Sequence, residues 1–139
     1  MHPTPINTTV LLVDDQPSIR QSIRSVLENC EDVLIVGEAG DGAKAIQYAR
    51  MLRPHVVLMD ISMPEMDGLQ AARVIKQEDP ETVIIGLSTA AVGTRALARA
   101  GFAASLNKES IVEDLYPTIA RHLDHSLLPG SSSKQPWSF

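Results

Sequence analysis

Apolar residues arrive along the chain in short runs, and each run ends abruptly in a polar residue or a glycine. Val10-Leu11-Leu12-Val13 stops at Asp14-Asp15, Val33-Leu34-Ile35-Val36 at Gly37, Val56-Val57-Leu58-Met59 at Asp60, and Val83-Ile84-Ile85-Gly86-Leu87 at Ser88. Unbroken aliphatic runs of this length predict strands buried on both faces. Ala103 to Asn107 is a weaker fifth strand. Between the runs the spacing turns helical. Ile19, Ile23, Val26 and Leu27 recur on one helical face after Pro17. Asp41 predicts the cap of a second helix with Ala43, Ile46 and Ala49 inward, which Pro54 ends. A loop from Ser62 to Gly68 leads to a third helix, with Leu69, Ala72 and Ile75 inward. A short fourth helix spans Thr94 to Ala100, with Gly101 as its stop. Ser110 and Glu113 have the spacing of a capping box for a fifth helix bearing Ile111, Leu115 and Ile119. Pro117 within it predicts a kink or a ragged start, since proline lacks a backbone donor.

Strand and helix thus alternate five times, which predicts an α/β fold: a parallel sheet covered by helices on both faces. Right-handed crossovers make the sheet doubly wound. In such folds ligands bind beyond the carboxyl ends of the strands.

Composition narrows the function. A chain of 139 residues fits one domain, and 44% hydrophobic with 21% charged residues is ordinary for a globular protein. The net charge of −5 argues against nucleic-acid binding, which selects Lys/Arg-rich faces. The apolar runs are too short to span a bilayer, and no secretory pattern opens the chain. One cysteine, Cys30, suits a reducing, cytoplasmic setting and reads as a passive residue near a helix end. His122 and His125 share a helical spacing, for which an ordinary surface pair is the simpler reading than a metal site.

The chemistry lies in where the polar residues fall. Asp14 and Asp15 follow the first strand, Asp60 the third, Ser88 the fourth and Lys108 the fifth. All of these ends share one edge of a parallel sheet. Each residue alone reads as a turn, a cap or a surface group; the conjunction is what carries information. Three carboxylates repel one another unless a cation enters. Hard oxygen ligands with room for water suit Mg²⁺, and Lys108 would offset the remaining charge. A carboxylate so placed can attack a phosphate donor in line, with catalysis resting on position and charge neutralisation.

From Thr9 to about Leu123 the chain resembles the receiver domain of two-component response regulators. The resemblance is carried by Val10-Leu11-Leu12-Val13-Asp14-Asp15, by Val56-Val57-Leu58-Met59-Asp60-Ile61-Ser62-Met63-Pro64-Glu65-Met66-Asp67-Gly68, and by Leu106-Asn107-Lys108. The stretch Val36-Gly37-Glu38-Ala39-Gly40-Asp41-Gly42-Ala43 is similar to the NarL/FixJ-type subfamily, whose members often carry a helix-turn-helix output domain. The resemblance implies a CheY-like (flavodoxin-like) five-stranded parallel sheet in the order 2-1-3-4-5. It implies that Asp60 is the phosphoacceptor and that Asp14, Asp15, Asp60 and the Ser62 backbone carbonyl hold Mg²⁺. Ser88 would then hydrogen-bond the phosphoryl group and Lys108 would pair with it. The implied donor is a histidine kinase or a histidine phosphotransfer protein, docking near Ile19 and Ile23. A homodimer on phosphorylation is a further implication. The expected division is an N-terminal extension over 1–8, the receiver domain over 9–125 and a linker-like tail over 126–139.

Some positions depart from the family pattern. Ser105 stands where receivers usually carry an aromatic residue that reorients on activation, and Phe102 is offset from that place. Glu109 follows the lysine where many relatives have proline. Ser62 and Ala90 are small at positions that can orient an attacking water, which predicts a long-lived aspartyl phosphate. Rival readings fare less well. Aspartyl-nucleophile phosphatases want a second Asp at the position of Ser62, and Gly37, Gly40 and Gly42 have the dinucleotide-binding spacing reversed. Nothing after Leu123 has the length of a DNA-binding domain, so two outputs stay open: a stand-alone receiver acting on a partner protein, or the regulatory part of a longer transcription regulator. In neither reading is the chain an enzyme with turnover.

Overall fold

The computed structural model describes residues 8–61, 68–89 and 94–127. Five strands alternate with five helices: β1 (Thr8–Val13), α1 (Pro17–Leu27), β2 (Val33–Ala39), α2 (Gly42–Leu52), β3 (Val56–Asp60), α3 (Gly68–Glu78), β4 (Val83–Ser88), α4 (Thr94–Ala100), β5 (Phe102–Asn107) and α5 (Ile111–Leu127). All four strand pairings are parallel, and the sheet order is β2-β1-β3-β4-β5. This is the doubly wound sheet expected from the alternation, in the CheY-like order.

Period-two alternation in the strands divides the core between the two sheet faces. Leu11, Val13, Val57 and Met59 pack with Ala45, Ile46, Ala71, Ala72, Ile75 and Leu97 from α2, α3 and α4. Val10, Leu12, Leu58 and Ile85 pack with Ile23, Leu27, Leu115 and Ile119 from α1 and α5. The short helix α4 has Leu97 and Ala100 as its buried apolar residues. One aliphatic side chain contributes roughly 1.5–3 kcal/mol on burial, which is little for an ordered segment.

Local chemistry explains most element ends. The Asp41 side chain accepts a hydrogen bond from the Lys44 N–H, so it caps α2 as expected. That helix closes on Arg53 in the left-handed region, just ahead of Pro54. Gly101 ends α4 with φ of 98°, a value glycine tolerates without strain.

Several expectations need correction. β2 continues past Gly37 to Ala39, because its pairing with β1 resumes at Leu11–Gly37 after an irregularity and runs on to Val13–Ala39. Gly37 lies within the ladder, with the flexible tip of Leu52 of α2 2.9 Å from where a Cβ would stand, and does not end the strand. In α2 the inward residues are Ala45 and Ile46, with Ala49 half-buried, whereas Ala43 is exposed. β5 begins one residue earlier than expected, at Phe102. At the head of α5 the side chain that caps a turn is Asn107, which accepts from the Glu109 N–H at 2.7 Å. A short 3-10 turn over Lys108–Ser110 then carries the chain into the helix, which runs on through Pro117.

Cys30 is half-buried, its thiol donating to the Val26 carbonyl, and burial followed by the nearby Asp32 charge pushes its pKa up. Such a thiol is poorly reactive. His122 turns Nδ1 onto the Thr118 carbonyl within its own helix, 3.0 Å away. No helix among the described residues is long and apolar enough to cross a membrane.

Candidate functional site

At the carboxyl edge of the sheet β1 ends at Val13, with Asp14 next, and β3 ends in Met59-Asp60, and β1 and β3 are hydrogen-bonded neighbours. The two aspartates therefore emerge side by side. Asp14 and Asp60 are buried, while Asp15 is exposed. Carboxylate oxygens of Asp14, Asp15 and Asp60 all lie within 4.8 Å of one another. Ser88 closes β4, next in the sheet, and is buried as well. Lys108 leaves the end of β5 and reaches back, placing Nζ 2.8 Å from Asp14 Oδ2 and 3.2 Å from Asp60 Oδ2. Five residues from four strand ends thus occupy one edge, as their positions in the sequence require.

Burial alone would pull the Lys108 ammonium toward neutrality. The hydrogen bond and charge of Asp14, and then those of Asp60, outweigh it and hold the pKa above the ordinary lysine value. One ammonium still answers only one of three carboxylates, so the cluster remains short of positive charge. The Asp14 carboxylate divides its work. Oδ1 accepts from the Gln16 N–H at 2.9 Å, the local turn typical of aspartate, while buried Oδ2 is held by the Lys108 ammonium at 2.8 Å. Clustered hard oxygen donors with residual negative charge fit a divalent cation such as Mg²⁺.

Glycine matters once here. Gly68 at the start of α3 donates to the Ile61 carbonyl at 3.2 Å and lies hard against the end of β3. Ser62, whose backbone carbonyl the resemblance assigns to the metal, lies outside the described residues, as do Ala90 and the tail from position 128. Ile23 is fully buried, so it is a core residue and offers nothing to a docking partner; Ile19 is half-buried. Ser105 is exposed on β5, and Phe102 is buried with its ring over Gly86, close to the Cβ position there as is Ile61 Cδ1.

A second group was not anticipated from the sequence. Arg20 and Arg24, one turn apart on α1, both hold Glu38 of β2, and Arg20 also donates to the Asp14 carbonyl. The only sequence signal was two arginines at i and i+4 on a helix that is otherwise rich in serine.

Residues 10–120 match the family model described as the response regulator receiver domain. The chain belongs to that family. It is 38% identical over 112 residues to an uncharacterised transcriptional regulatory protein, YxjL, of Bacillus subtilis, a match covering 79% of this chain and 51% of the relative. It is 44% identical over 85 residues to a protein-glutamate methylesterase/protein-glutamine glutaminase of Alkalilimnicola ehrlichii, covering 61% of this chain and 22% of that one. Among solved structures, a LuxR-family two-component response regulator from Aurantimonas superposes with a TM-score of 0.79 at 29% identity, covering 85% of this chain and 86% of that chain. The receiver thus spans about half or less of these two curated relatives. As a receiver domain it serves phosphorelay signal transduction in two-component systems. Receiver domains bind Mg²⁺ at an acidic pocket and interact with histidine kinases or phosphotransfer proteins, and Asp14, Asp15 and Asp60 form an acidic cluster here.

Proposed function

We propose that Asp60 is the phosphoacceptor of this receiver, with Asp14, Asp15 and Asp60 holding Mg²⁺ and Lys108 and Ser88 receiving the phosphoryl oxygens. The observation that carries the reading is the convergence of three carboxylates within 4.8 Å of one another, two of them paired with the buried Lys108 ammonium, at 2.8 Å for Asp14 and 3.2 Å for Asp60. Asp60 is buried at a strand end, so a carboxylate oxygen is held in place rather than searching. In the transfer that oxygen forms a bond to phosphorus while the donor's nitrogen–phosphorus bond breaks, and the leaving imidazole takes a proton from solvent. Lys108 is released from Asp60 as the phosphoryl group arrives and keeps its ion pair to Asp14, so the ammonium moves little. In this reading Ser88, on the neighbouring strand end, donates its hydroxyl to a phosphoryl oxygen. Bound Mg²⁺ supplies charge neutralisation between the carboxylates and the incoming phosphate. The Ser62 carbonyl completes the protein ligands in this reading.

The domain over 9–125 would work in the cytoplasm, with a histidine kinase or phosphotransfer protein as donor and one self-catalysed transfer followed by slow loss. Its output is transcriptional control through a helix-turn-helix partner domain, a reading supported by the match to a regulatory protein over 79% of this chain. Pairing of two phosphorylated copies belongs to the same reading. The test is intact mass after incubation with a small phosphodonor, with and without Mg²⁺, beside Asp60→Asn. One Mg²⁺-dependent phosphate that the variant does not gain supports the assignment; a phosphate retained in the variant moves the acceptor elsewhere.

A further inference from the structure

We propose that Arg20 is a positioning residue for the acidic pocket, holding the Asp14–Asp15 peptide at the spacing a divalent cation needs. The proposal rests on the reading of that pocket as a Mg²⁺ site.

Asp14 is tied to β2 on both sides of its backbone. Its N–H donates to the Ala39 carbonyl at 3.1 Å. Its own carbonyl accepts from Arg20 Nη1, and Arg20 Nε donates to Glu38 Oε1 at 2.9 Å. Glu38 is the neighbour of Ala39, so both ties end at the same place on the sheet. Glu38 is itself braced, because its Oε2 accepts from Arg24 Nε at 2.9 Å. The link that reaches the pocket runs from Glu38 through Arg20 to the Asp14 carbonyl, and Arg24 joins it only at Glu38.

The network matters most for Asp15. Asp14 is buried and is fixed further by its bond to the Gln16 N–H. Asp15 is exposed, and packing gives its carboxylate little direction. Where that carboxylate meets Asp14 and Asp60 follows from the peptide between Asp14 and Asp15, and Arg20 grips the carbonyl of that peptide. The grip needs a guanidinium, since one planar fork must point Nε at a carboxylate and Nη1 at a carbonyl together. A lysine keeps the charge and loses the fork.

Arg24 supplies the control. It bonds the same glutamate, and no contact ties it to Asp14. Loss of either arginine breaks an ion pair to Glu38, and only loss of Arg20 frees the Asp14 carbonyl. If the role were purely structural, the two variants would behave alike.

The experiment is calorimetric titration of Mg²⁺ into the full chain and its Arg20→Ala, Arg20→Lys and Arg24→Ala variants, with amide exchange of Gln16 followed in metal-free protein. Arg20→Ala is expected to weaken Mg²⁺ about tenfold, the scale on which groups that orient metal ligands act, and to speed Gln16 exchange. Arg24→Ala should stay within about twofold of the parent. Arg20→Lys should stay weak. Equal affinity in Arg20→Ala and Arg24→Ala, or full recovery in Arg20→Lys, overturns the positioning role while leaving the pocket intact. If Arg20→Ala is poorly folded, Arg20→Lys and the Gln16 exchange rate decide between the same outcomes. Failure of the parent chain to take up Mg²⁺ overturns the reading of the pocket, and the proposal with it.

Discussion

A Cβ placed on Gly68 would stand 2.2 Å from the carbonyl oxygen of Asp60 and 2.9 Å from the Ile61 Cα. The first turn of α3 is pressed directly onto the strand end that carries the candidate phosphoacceptor. Both obstructing atoms are backbone, so neither side can yield by turning a side chain. Gly68→Ala should therefore displace the end of β3, destabilise the domain by about 1–3 kcal/mol, and slow phosphorylation of Asp60. Urea melts and the rate of labelling by a small phosphodonor check this. Parent-like values in both would show that α3 can shift freely.

Lys108 is the cation of a buried cluster, and removing one partner of such a cluster leaves charge without compensation. Lys108→Ala should cost about 3 kcal/mol in metal-free protein. Mg²⁺ should restore part of that loss, since both cations answer the same carboxylates. Melts in chelator and in Mg²⁺ test the coupling. Stability unchanged in both conditions would mean that the ammonium does not serve as the counter-ion.

Much of this arrangement was legible in the sequence, for physical reasons. Strands buried on both faces must be apolar throughout, so Asp14, Asp60 and Ser88 could only sit at their ends. Parallel topology then put those ends together. What escaped depends on packing between distant residues. Gly37 looked like a stop because a glycine after four aliphatics usually is one; in the fold it pairs with Leu11 inside the ladder. Ala43 and Ala45 are indistinguishable by type, and only the docking angle of α2 buries one and exposes the other. The bond of Arg20 to Glu38 joins residues 18 apart in the sequence, a pairing that no local spacing announces.

The small buried face of α4 has a consequence for dynamics. With Leu97 and Ala100 as its buried apolar residues, α4 should open far more readily than α3 or α5. It follows Ser88, which would receive the phosphoryl group, and position 105 of β5 holds serine where receivers usually carry the aromatic ring that reorients. Amide exchange should therefore be faster in Thr94–Ala100 than in α3, and it should change there when beryllofluoride occupies Asp60. Identical exchange with and without beryllofluoride would contradict a route through α4.

Glu38 gives the acid limb of stability a specific source. The hydrogen bond from Arg24 lowers its pKa most, burial opposes that, and the Arg20 hydrogen bond and both positive charges add to the lowering. A carboxylate whose folded pKa lies below its unfolded value releases its proton more easily in the native state. Its stabilisation is complete above the unfolded pKa and fades as pH falls through the folded one. At neutral pH Glu38→Gln should thus cost about 1–2 kcal/mol, allowing for solvent screening of a partly exposed pair. The gap between variant and parent should hold down to the ordinary carboxylate range and close below it, because the parent's glutamate is then protonated too. Paired urea melts across the acid range measure that gap. A difference that persists undiminished into strong acid would mean that shape at position 38, and not its charge, joins α1 to β2.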